Sequence, residues 1–221
     1  MRLTHYGLDV VLKTLLLAGV IVACTILFVR AEIVKYSIAG VVSVFVLLVL
    51  NFFRDPDRHT PSGDRLVISP ADGSVVLIKD VFEPDYLKRE AVQVSIFMSP
   101  LDVHVNRFPV SGSIGYVKHV PGKFIAAFEE KCADVNERML IGLEHIGGGR
   151  ILFKQIAGAV ARRIVADVAI GQQARMGERF GMIKFGSRVD VLLPKGTEVH
   201  VRLHDRVTAG ETILATLSPK V

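Results

Sequence analysis

Two long apolar segments at the start of the chain limit the folds that are open to it. Residues 10–29 contain a single charged residue, Lys13, and residues 33–53 contain only Lys35. At a rise of about 1.5 Å per residue, either segment is long enough as a helix to cross a hydrocarbon core of roughly 30 Å. Both lysines lie near segment ends, where their side chains reach the interface. The sequence therefore predicts two transmembrane helices, at about residues 10–29 and 33–53.

The short connection between the two segments determines their arrangement. Only residues 30–32 separate them, so the helices form a hairpin whose outer ends lie on the same side of the membrane. A cleavable signal peptide is disfavoured, because no small-x-small cleavage site precedes soluble sequence and a second apolar segment comes at once. More Lys and Arg residues flank the outer ends than the turn, which predicts that both termini face the cytoplasm at the cell (inner) membrane. The outer residues are Arg2, Lys13, Arg54, Arg58 and Arg65, and those of the turn are Arg30 and Lys35.

The charge of the remaining chain favours a membrane surface over a nucleic acid as its environment. Residues 54–221 contain 23 Lys and Arg against 20 Asp and Glu, a formal net charge of +3. This mild positive charge suits a domain lying against an anionic leaflet. It is too small and too dispersed for a nucleic-acid partner. Cys24 lies in the first apolar segment and Cys132 in the domain, so no disulfide framework is expected.

The pattern after the anchor indicates a mostly β domain. A polar linker at residues 54–63 is followed by short alternating apolar stretches with Gly and Pro residues between them, at residues 66–69, 74–79, 91–97, 151–156, 188–193 and 198–203. Helix signals are few, and residues 157–171 and 124–130 are the places where short helical stretches are expected. The predicted fold is a mostly β (α+β) soluble domain of packed sheets, residues 54–221, after a membrane anchor of two helices, residues 1–53.

The pair Gly186-Ser187 near the end of the chain has the composition that an intramolecular acyl shift requires. Gly has no Cβ, so its peptide can bend into a strained geometry that lets the next hydroxyl reach the Gly carbonyl. On its own this pair is more typical of a turn or strand Gly that is followed by an ordinary Ser.

Three further stretches carry side chains that could serve a reaction. Asp72 lies in a turn bounded by Pro and Gly, a position that is also typical of a turn-capping Asp. His104 and Arg107 come after an apolar strand and precede a Pro, which places them in a loop at a sheet edge. Residues 121–124 and 136–138 form a basic and polar set that suits a phosphate or a carboxylate, with surface ion pairing as the alternative.

Six motifs in register give the chain a resemblance to a known enzyme family. They are Phe53-Arg-Asp-Pro-Asp-Arg58, Pro70-Ala-Asp-Gly73, Met98-Ser-Pro-Leu-Asp-Val-His-Val-Asn-Arg107, Pro121-Gly-Lys-Phe124, Asn136-Glu-Arg138 and Phe185-Gly-Ser187. In this order and spacing they resemble the phosphatidylserine decarboxylase family, in its short form. The resemblance covers residues 53 to about 194, most of the soluble part.

The resemblance implies a zymogen that makes its own cofactor. Ser187 would attack the Gly186 carbonyl, and the chain would split into a larger piece, 1–186 (beta chain), and a small piece, 187–221 (alpha chain), which stay together. Ser187 would become a pyruvoyl group, which forms a Schiff base with the amine of phosphatidylserine. Loss of CO₂ would then give phosphatidylethanolamine, a step of phospholipid biosynthesis.

The resemblance also implies roles for individual side chains. His104 is the expected proton donor in decarboxylation, and Asp72 the carboxylate that assists self-cleavage. Arg107, Lys123 and Asn136 are the expected substrate-binding residues, and no metal is expected.

The chain departs from the longer members of the family at one position. Those members carry a second His, part of their self-cleavage triad, where this chain has Arg107. Either His104 serves both stages here, or His119 or His145 substitutes, while Arg107 pairs with a substrate carboxylate or phosphate.

A non-enzymatic interpretation of the chain is a membrane adaptor or carrier with a biotinyl- or lipoyl-like sheet. Gly-spaced hairpins near residues 70–76 and 195–214 favour it. No Lys stands at the tip of a recognisable carrier hairpin, which disfavours it. The sequence leaves open whether the lipid has ester or ether chains, and whether the protein is a homo-oligomer.

Overall fold

The structure is a computed structural model that describes residues 2–126, 132–159, 163–184 and 187–218. The chain divides into two compact units, Met1–Asp57 and Arg58–Val221.

The N-terminal unit consists of two apolar helices, α1 (Leu8–Phe28) and α2 (Glu32–Phe52), with a short 3₁₀ turn before α1. Most of their large apolar side chains are exposed, as expected for helices that are apolar on all sides. Both are long and apolar enough to cross a membrane. Backbone hydrogen bonds join the outer ends of the pair, from Thr4 N to Phe53 O at 3.0 Å and from Asp55 N to Arg2 O at 2.8 Å. Within this unit the two helices therefore form a hairpin.

The second unit is built mostly from strands, which confirms the predicted mostly β class. Its described residues form fourteen strands and one short helix, α3 (Cys132–Val135). The strands are β1 (Leu66–Ile68), β2 (Gly73–Glu83), β3 (Arg89–Met98), β4 (Val105–Arg107), β5 (Gly112–Val120), β6 (Arg138–His145), β7 (Arg150–Ala157), β8 (Arg163–Ala166), β9 (Gln173–Ala174), β10 (Arg179–Lys184), β11 (Ser187–Pro194), β12 (Glu198–Val199), β13 (Arg206–Val207) and β14 (Ile213–Thr216).

The strands are arranged in one large antiparallel sheet and two small ones. The large sheet has eight strands in the order β13-β2-β3-β11-β7-β6-β5-β9, and the small sheets have the orders β4-β10-β8 and β1-β14-β12. Strand β11 lies near the centre of the large sheet. It pairs with β3 from Ser187↔Met98 to Pro194↔Ala91, and with β7 from Ser187↔Ala157 onward. The segment that begins at Ser187 is thus held on both sides by earlier parts of the chain.

The main core lies against one face of the large sheet. On β11, Val189, Val191 and Leu193 point into this core, whereas Arg188 and Asp190 lie on the opposite face, as the two-residue period of a strand requires. Phe108, Phe153 and Phe180 pack together within the core, with ring centroids 5.0 to 6.3 Å apart. Apolar burial on the core face therefore fixes which face each β11 side chain occupies.

The predicted helical stretch at residues 157–171 is wrong where the structure describes it. Residues 163–166 form β8, which pairs with β10 from Lys184↔Arg163 to Gly181↔Ala166. Ile164 and Val165 are β-branched and suit this pairing, so a neighbouring strand decides the conformation of a short ambiguous segment. In the other predicted helical stretch, residues 124–126 are not helical, and residues 127–130 lie outside the described residues.

Six strand termini meet at one end of the large sheet, named here the Ser187 end. Because neighbouring strands are antiparallel, the start of one strand lies beside the end of the next. The termini are the starts of β2 at Gly73, β11 at Ser187 and β6 at Arg138, and the ends of β3 at Met98, β7 at Ala157 and β5 at Val120.

Candidate active site

Five of the six sequence motifs lie at the Ser187 end of the sheet, and the sixth reaches it through Arg58. Residues 70–73 lead into β2, residues 98–107 continue from β3, and residues 121–124 continue from β5. Residues 136–138 lead into β6, and the last motif ends at the first residue of β11. Neighbouring strands are about 4.8 Å apart, so the starts of β2 and β6 are separated by about 19 Å. The fold thus gathers distant parts of the sequence into one region.

Ser187 is the first residue of β11 and is fully buried between Met98 and Ala157. Its Oγ donates a hydrogen bond to the Sδ of Met98 at 3.2 Å. A thioether is a weak acceptor, so this contact holds the hydroxyl only loosely. The predicted cleavage site also includes Gly186, which lies outside the described residues together with Phe185. The cleavage of that peptide bond therefore stays a prediction.

His104 lies in the buried loop just before β4, and a backbone carbonyl orients its ring. Its Nδ1 is 2.9 Å from the carbonyl oxygen of Asp102. A carbonyl oxygen can only accept, so Nδ1 carries the hydrogen and Nε2 is the basic nitrogen of the neutral ring. The next residue, Val105, pairs with Met182 of β10, and β10 leads through residues 185–186 to Ser187. The fold thus brings His104 to the Ser187 end of the sheet in a tautomer that can accept a proton.

The loop that carries His104 is fixed by Asp102, a residue that the sequence did not single out. The Asp102 carboxylate accepts hydrogen bonds from the backbone N of Ser99, at 2.8 Å, and from Arg206 of β13. Burial opposes the ionisation of Asp102, but the hydrogen bonds from Arg206 and Ser99 outweigh it and lower the pKa of this carboxyl. Asp102 therefore stays charged and ties the His104 loop to the part of the chain that comes after Ser187.

Asp72 lies in the turn just before β2, and its carboxylate is held from two sides. Arg58 Nη2 donates to both carboxylate oxygens, at 3.1 and 2.8 Å, and the backbone N of Ala209 donates to Oδ1 at 2.8 Å. Burial raises the pKa of Asp72, and these two partners lower it in part. At the next residue, Gly73, an added Cβ would lie 2.1 Å from the carbonyl oxygen of Phe97, so only Gly allows β2 to start this close to β3.

Arg107 is buried and donates hydrogen bonds to two backbone carbonyl groups. Its Nη1 donates to the carbonyl oxygen of Gly177 at 2.8 Å, and its backbone N donates to Pro70 O at 3.0 Å. The bond to Pro70 links β4 to the turn that carries Asp72. The assignment of Arg107 to substrate binding stays a prediction.

Asn136 holds the loop after β5, which also carries Lys123, against the end of β7. The Asn136 amide donates to the carbonyl oxygens of Ala157, at 2.7 Å, and Ile125, at 2.9 Å, and its Oδ1 accepts from Ile125 N at 3.0 Å. Ala157 is paired with Ser187, so Asn136 contacts the strand neighbour of the candidate nucleophile. The Lys123 backbone bonds to Val135 and Glu137, and Lys123 itself is exposed. The substrate-binding roles of both residues remain predictions.

The positions of the other two candidate histidines separate them from His104. His145 ends β6, seven residues after its start at Arg138, and so lies about 24 Å along the strand from the Ser187 end. His119 is exposed on β5, three strands away from β11, with its Nε2 3.0 Å from Glu137. Of these three histidines, His104 is the one that lies beside the strands leading to Ser187, and it is fully buried.

Two further polar contacts in this region were missed in the sequence. Arg58 is the last residue of the first motif, but its partner Asp72 is fourteen residues away, and nothing in the pattern joins them. Arg188 is fully buried and pairs with Asp190 at 2.6 Å, while its Nη2 donates to Ser95 at 2.9 Å. Two opposite charges two residues apart in an apolar strand share one face, and this spacing was the available signal for the second contact.

Comparison with known proteins identifies relatives along almost the whole chain. The model of the phosphatidylserine decarboxylase family matches residues 45–215. A phosphatidylserine decarboxylase proenzyme of Symbiobacterium thermophilum is 46% identical over 199 residues, 90% of this chain and 91% of the relative. The proenzymes of Chlorobium chlorochromatii, 44% identical over 96% of this chain and 98% of the relative, and of Parabacteroides distasonis, 47% identical over 83% and 84%, also match. The chain therefore belongs to the phosphatidylserine decarboxylase family of enzymes.

Proposed function

We propose that this chain is a proenzyme that cleaves itself between Gly186 and Ser187 and then decarboxylates phosphatidylserine to phosphatidylethanolamine and CO₂. Its relatives carry the name phosphatidylserine decarboxylase proenzyme. The observation that carries the proposal is that three segments lie at the Ser187 end of the large sheet, namely the start of β11 with Ser187, the loop after β3 with His104 and the turn before β2 with Asp72. A carrier or adaptor would have no need for these three residue types to converge.

The first stage is carried out by the chain's own residues. The Ser187 Oγ attacks the carbonyl carbon of Gly186, the peptide C–N bond breaks, and an ester forms while the amine of residue 187 is released. The basic Nε2 of His104 takes the hydroxyl proton. Loss of the Cα proton of residue 187 then breaks the bond between its Cβ and Oγ. The Gly186 carboxylate leaves with that oxygen and is the new C-terminus. Water replaces the nitrogen, which leaves as ammonia, and residue 187 becomes a pyruvoyl group.

The surroundings of Ser187 are compatible with a pyruvoyl group that is formed from Ser187 itself. The residue is buried at a strand end, with Met98 and Ala157 on the neighbouring strands. When formed, the pyruvoyl group supplies a ketone that combines with the substrate amine and takes up the electron pair released with CO₂.

In the second stage His104, once protonated, returns a proton to the carbon that has lost CO₂. Lys123, exposed at the same end of the sheet, offers a cation to the substrate phosphate or carboxylate. Arg107 is the second cation that we assign to this anion. Asn136 contributes by holding the Lys123 loop against Ala157.

The two proposed pieces stay together because the cut would fall at the start of a central strand. Residues 187–221 contain β11, which pairs with β3 on one side and β7 on the other, and also β12, β13 and β14. The alpha chain is thereby built into the large sheet and into one of the small sheets.

Activity of the purified full-length chain in detergent tests this proposal. We expect CO₂ release from phosphatidylserine, in amounts equal to the phosphatidylethanolamine formed, and none from phosphatidylcholine, which has no carboxylate to lose. Phenylhydrazine, which reacts with ketones, should abolish the activity. Ester and ether forms of the substrate, compared side by side, show which lipid backbone is accepted. A fully cleaved chain that releases CO₂ from no serine lipid would contradict the proposed reaction.

We further propose that α1 and α2 anchor the protein in the membrane with the catalytic domain on the cytoplasmic side. Removal of residues 1–53 should transfer the protein from the membrane pellet to the supernatant, because both apolar helices are lost. In spheroplasts of cells that make the full-length chain, protease added outside should leave the domain intact. Its digestion in unbroken spheroplasts would reverse the proposed orientation.

A further inference from the structure

The ion pair of Asp72 is made with a side chain from the segment that comes directly after α2. We propose that Arg58 is a positioning residue for self-cleavage, which holds the Asp72 carboxylate charged and in one orientation at the Ser187 end of the sheet. This inference rests on the proposed function, because it concerns the stage in which the chain cuts itself. Arg58 acts only through Asp72 and touches no reacting atom.

The geometry of the pair fixes the carboxylate. Arg58 Nη2 lies within hydrogen-bond distance of both Asp72 oxygens, and the side chains of Arg58 and Asp72 are only 14% and 15% exposed. The backbone N of Ala209 binds Oδ1 from another direction. A carboxylate bound from two directions cannot rotate without breaking at least one charge-assisted hydrogen bond.

Arg58 is itself held in place by a third part of the chain. Its Nη1 is 3.7 Å from Glu211 Oε2, and Glu211 Oε1 accepts a hydrogen bond from the backbone N of His59 at 2.9 Å. Residues 58–59 are therefore clamped onto the turn at residues 209–211. This turn belongs to the proposed alpha chain, so Arg58 joins both future chains around Asp72.

The charge of Asp72 depends on this arrangement. Burial raises the pKa of Asp72 above its ordinary value, and Arg58 acts against that rise together with the Ala209 N–H. Among the described residues, the other charged groups near this pair are Glu211, Asp102, Arg206 and Arg107. Asp102 raises the pKa of Asp72 further, and Arg206 is bound to Asp102. The Arg107 side chain passes close to the same turn, since a Cβ added at Gly210 would lie 2.7 Å from Arg107 Cδ. Its Nη1, however, donates to the carbonyl oxygen of Gly177.

Among the described residues, Arg58 is thus the cation in direct contact with the Asp72 carboxylate. A guanidinium keeps its charge throughout the physiological pH range. In the proposed reaction, a charged Asp72 at the Ser187 end would stabilise the positive charge that develops on His104 as it takes the Ser187 proton. Loss of Arg58 should therefore slow self-cleavage and make it more dependent on pH.

The first experiment monitors self-cleavage of the full-length chain in detergent on denaturing gels, across a range of pH. Arg58→Met should slow cleavage near neutral pH by about 10-fold, less than the loss of about 10²-fold that is usual for a missing catalytic acid or base. Its pH dependence should move to higher pH, because Asp72 without the guanidinium has a higher pKa. Arg58→Lys keeps the positive charge but lacks the planar guanidinium group. It should retain the wild-type pH dependence and cleave at an intermediate rate. Arg89→Met, at an exposed Arg on β3, is the matched control and should cleave as the wild type does.

The second experiment measures the Asp72 carboxyl directly and does not require cleavage. In the full-length Ser187→Ala chain with ¹³C-labelled Asp, the Asp72 signal, identified by its loss in Asp72→Asn, should titrate at higher pH once Arg58→Met is added. An unchanged Asp72 titration, or wild-type cleavage with wild-type pH dependence in Arg58→Met, would overturn the proposal. If Arg58→Met does not fold, Arg58→Lys decides, since a wild-type cleavage rate in that variant overturns it as well. Two fragments from Ser187→Ala would defeat the proposed function instead, while the titration would still test Arg58.

Discussion

A chain in which Ser187 is replaced by Ala is expected to remain a single polypeptide of 221 residues and to release no CO₂ from phosphatidylserine. Alanine has no hydroxyl to attack the Gly186 carbonyl, so neither the ester nor the ketone derived from it can form. The wild-type chain should instead give fragments of 186 and 35 residues, residues 1–186 and 187–221, on a reducing denaturing gel. Mass spectrometry of the smaller fragment should show a blocked N-terminus at position 187.

The matched control for this variant is Ser113→Ala. Ser113 lies in the same sheet, on β5 near the end opposite to Ser187, and its replacement should leave both fragments in place. Two fragments from Ser187→Ala would show that the cut is made elsewhere or by another protein, and the assignment of Ser187 would then be wrong.

Replacement of His104 by Ala is expected to lower the rate of decarboxylation by on the order of 10²-fold or more, the usual scale for a positioned acid or base. The ring is buried and oriented by the Asp102 carbonyl, so no solvent group can take its place easily. The measurement is CO₂ release by the purified variant, with a denaturing gel run on the same sample.

The gel distinguishes two ways in which His104 can act. If His104→Ala still cleaves but does not decarboxylate, the residue serves only the second stage, and another group activates Ser187. If it fails to cleave, His104 covers both stages, which explains how the chain functions with Arg107 where longer relatives have a His. His145→Ala is the matched control, since His145 lies at the opposite end of the sheet and its loss should change neither stage. Normal cleavage together with near-normal turnover in His104→Ala would remove His104 from the mechanism.

The parts of the fold that the sequence predicted are those with a strong local pattern. Residues 91–97 alternate between apolar and polar side chains, and they form most of β3 because one face of that strand packs in the core. The segment of residues 163–166 has only four residues and carries no clear period. Its conformation is decided by β10, a partner that is distant in sequence, so it could not be predicted.

The candidate site could likewise be predicted only in part from the sequence. The family motifs pointed to Ser187, His104 and Asp72, and the antiparallel order of the large sheet places the segments that carry them at the same end. The supporting contacts were not predictable, because the partners lie far apart in the chain. Asn136 binds Ala157 over 21 residues, and Arg206 binds Asp102 over 104 residues. Such pairs are set by tertiary packing and leave no periodic signal in either segment.

The central position of β11 determines when the proposed cut can occur and whether the protein can refold afterwards. Ser187 acquires its buried surroundings only after β11 has paired with β3 and β7, so the reaction can proceed only in a chain that has already assembled its sheet. The proposed cleavage would thus act as a check on folding, because a chain that fails to assemble the sheet would remain whole. After the cut, refolding from the denatured state becomes a bimolecular reaction between a long chain and a fragment of 35 residues. Once its fold is lost, a cleaved protein would therefore recover it at a rate that depends on the concentration of both pieces.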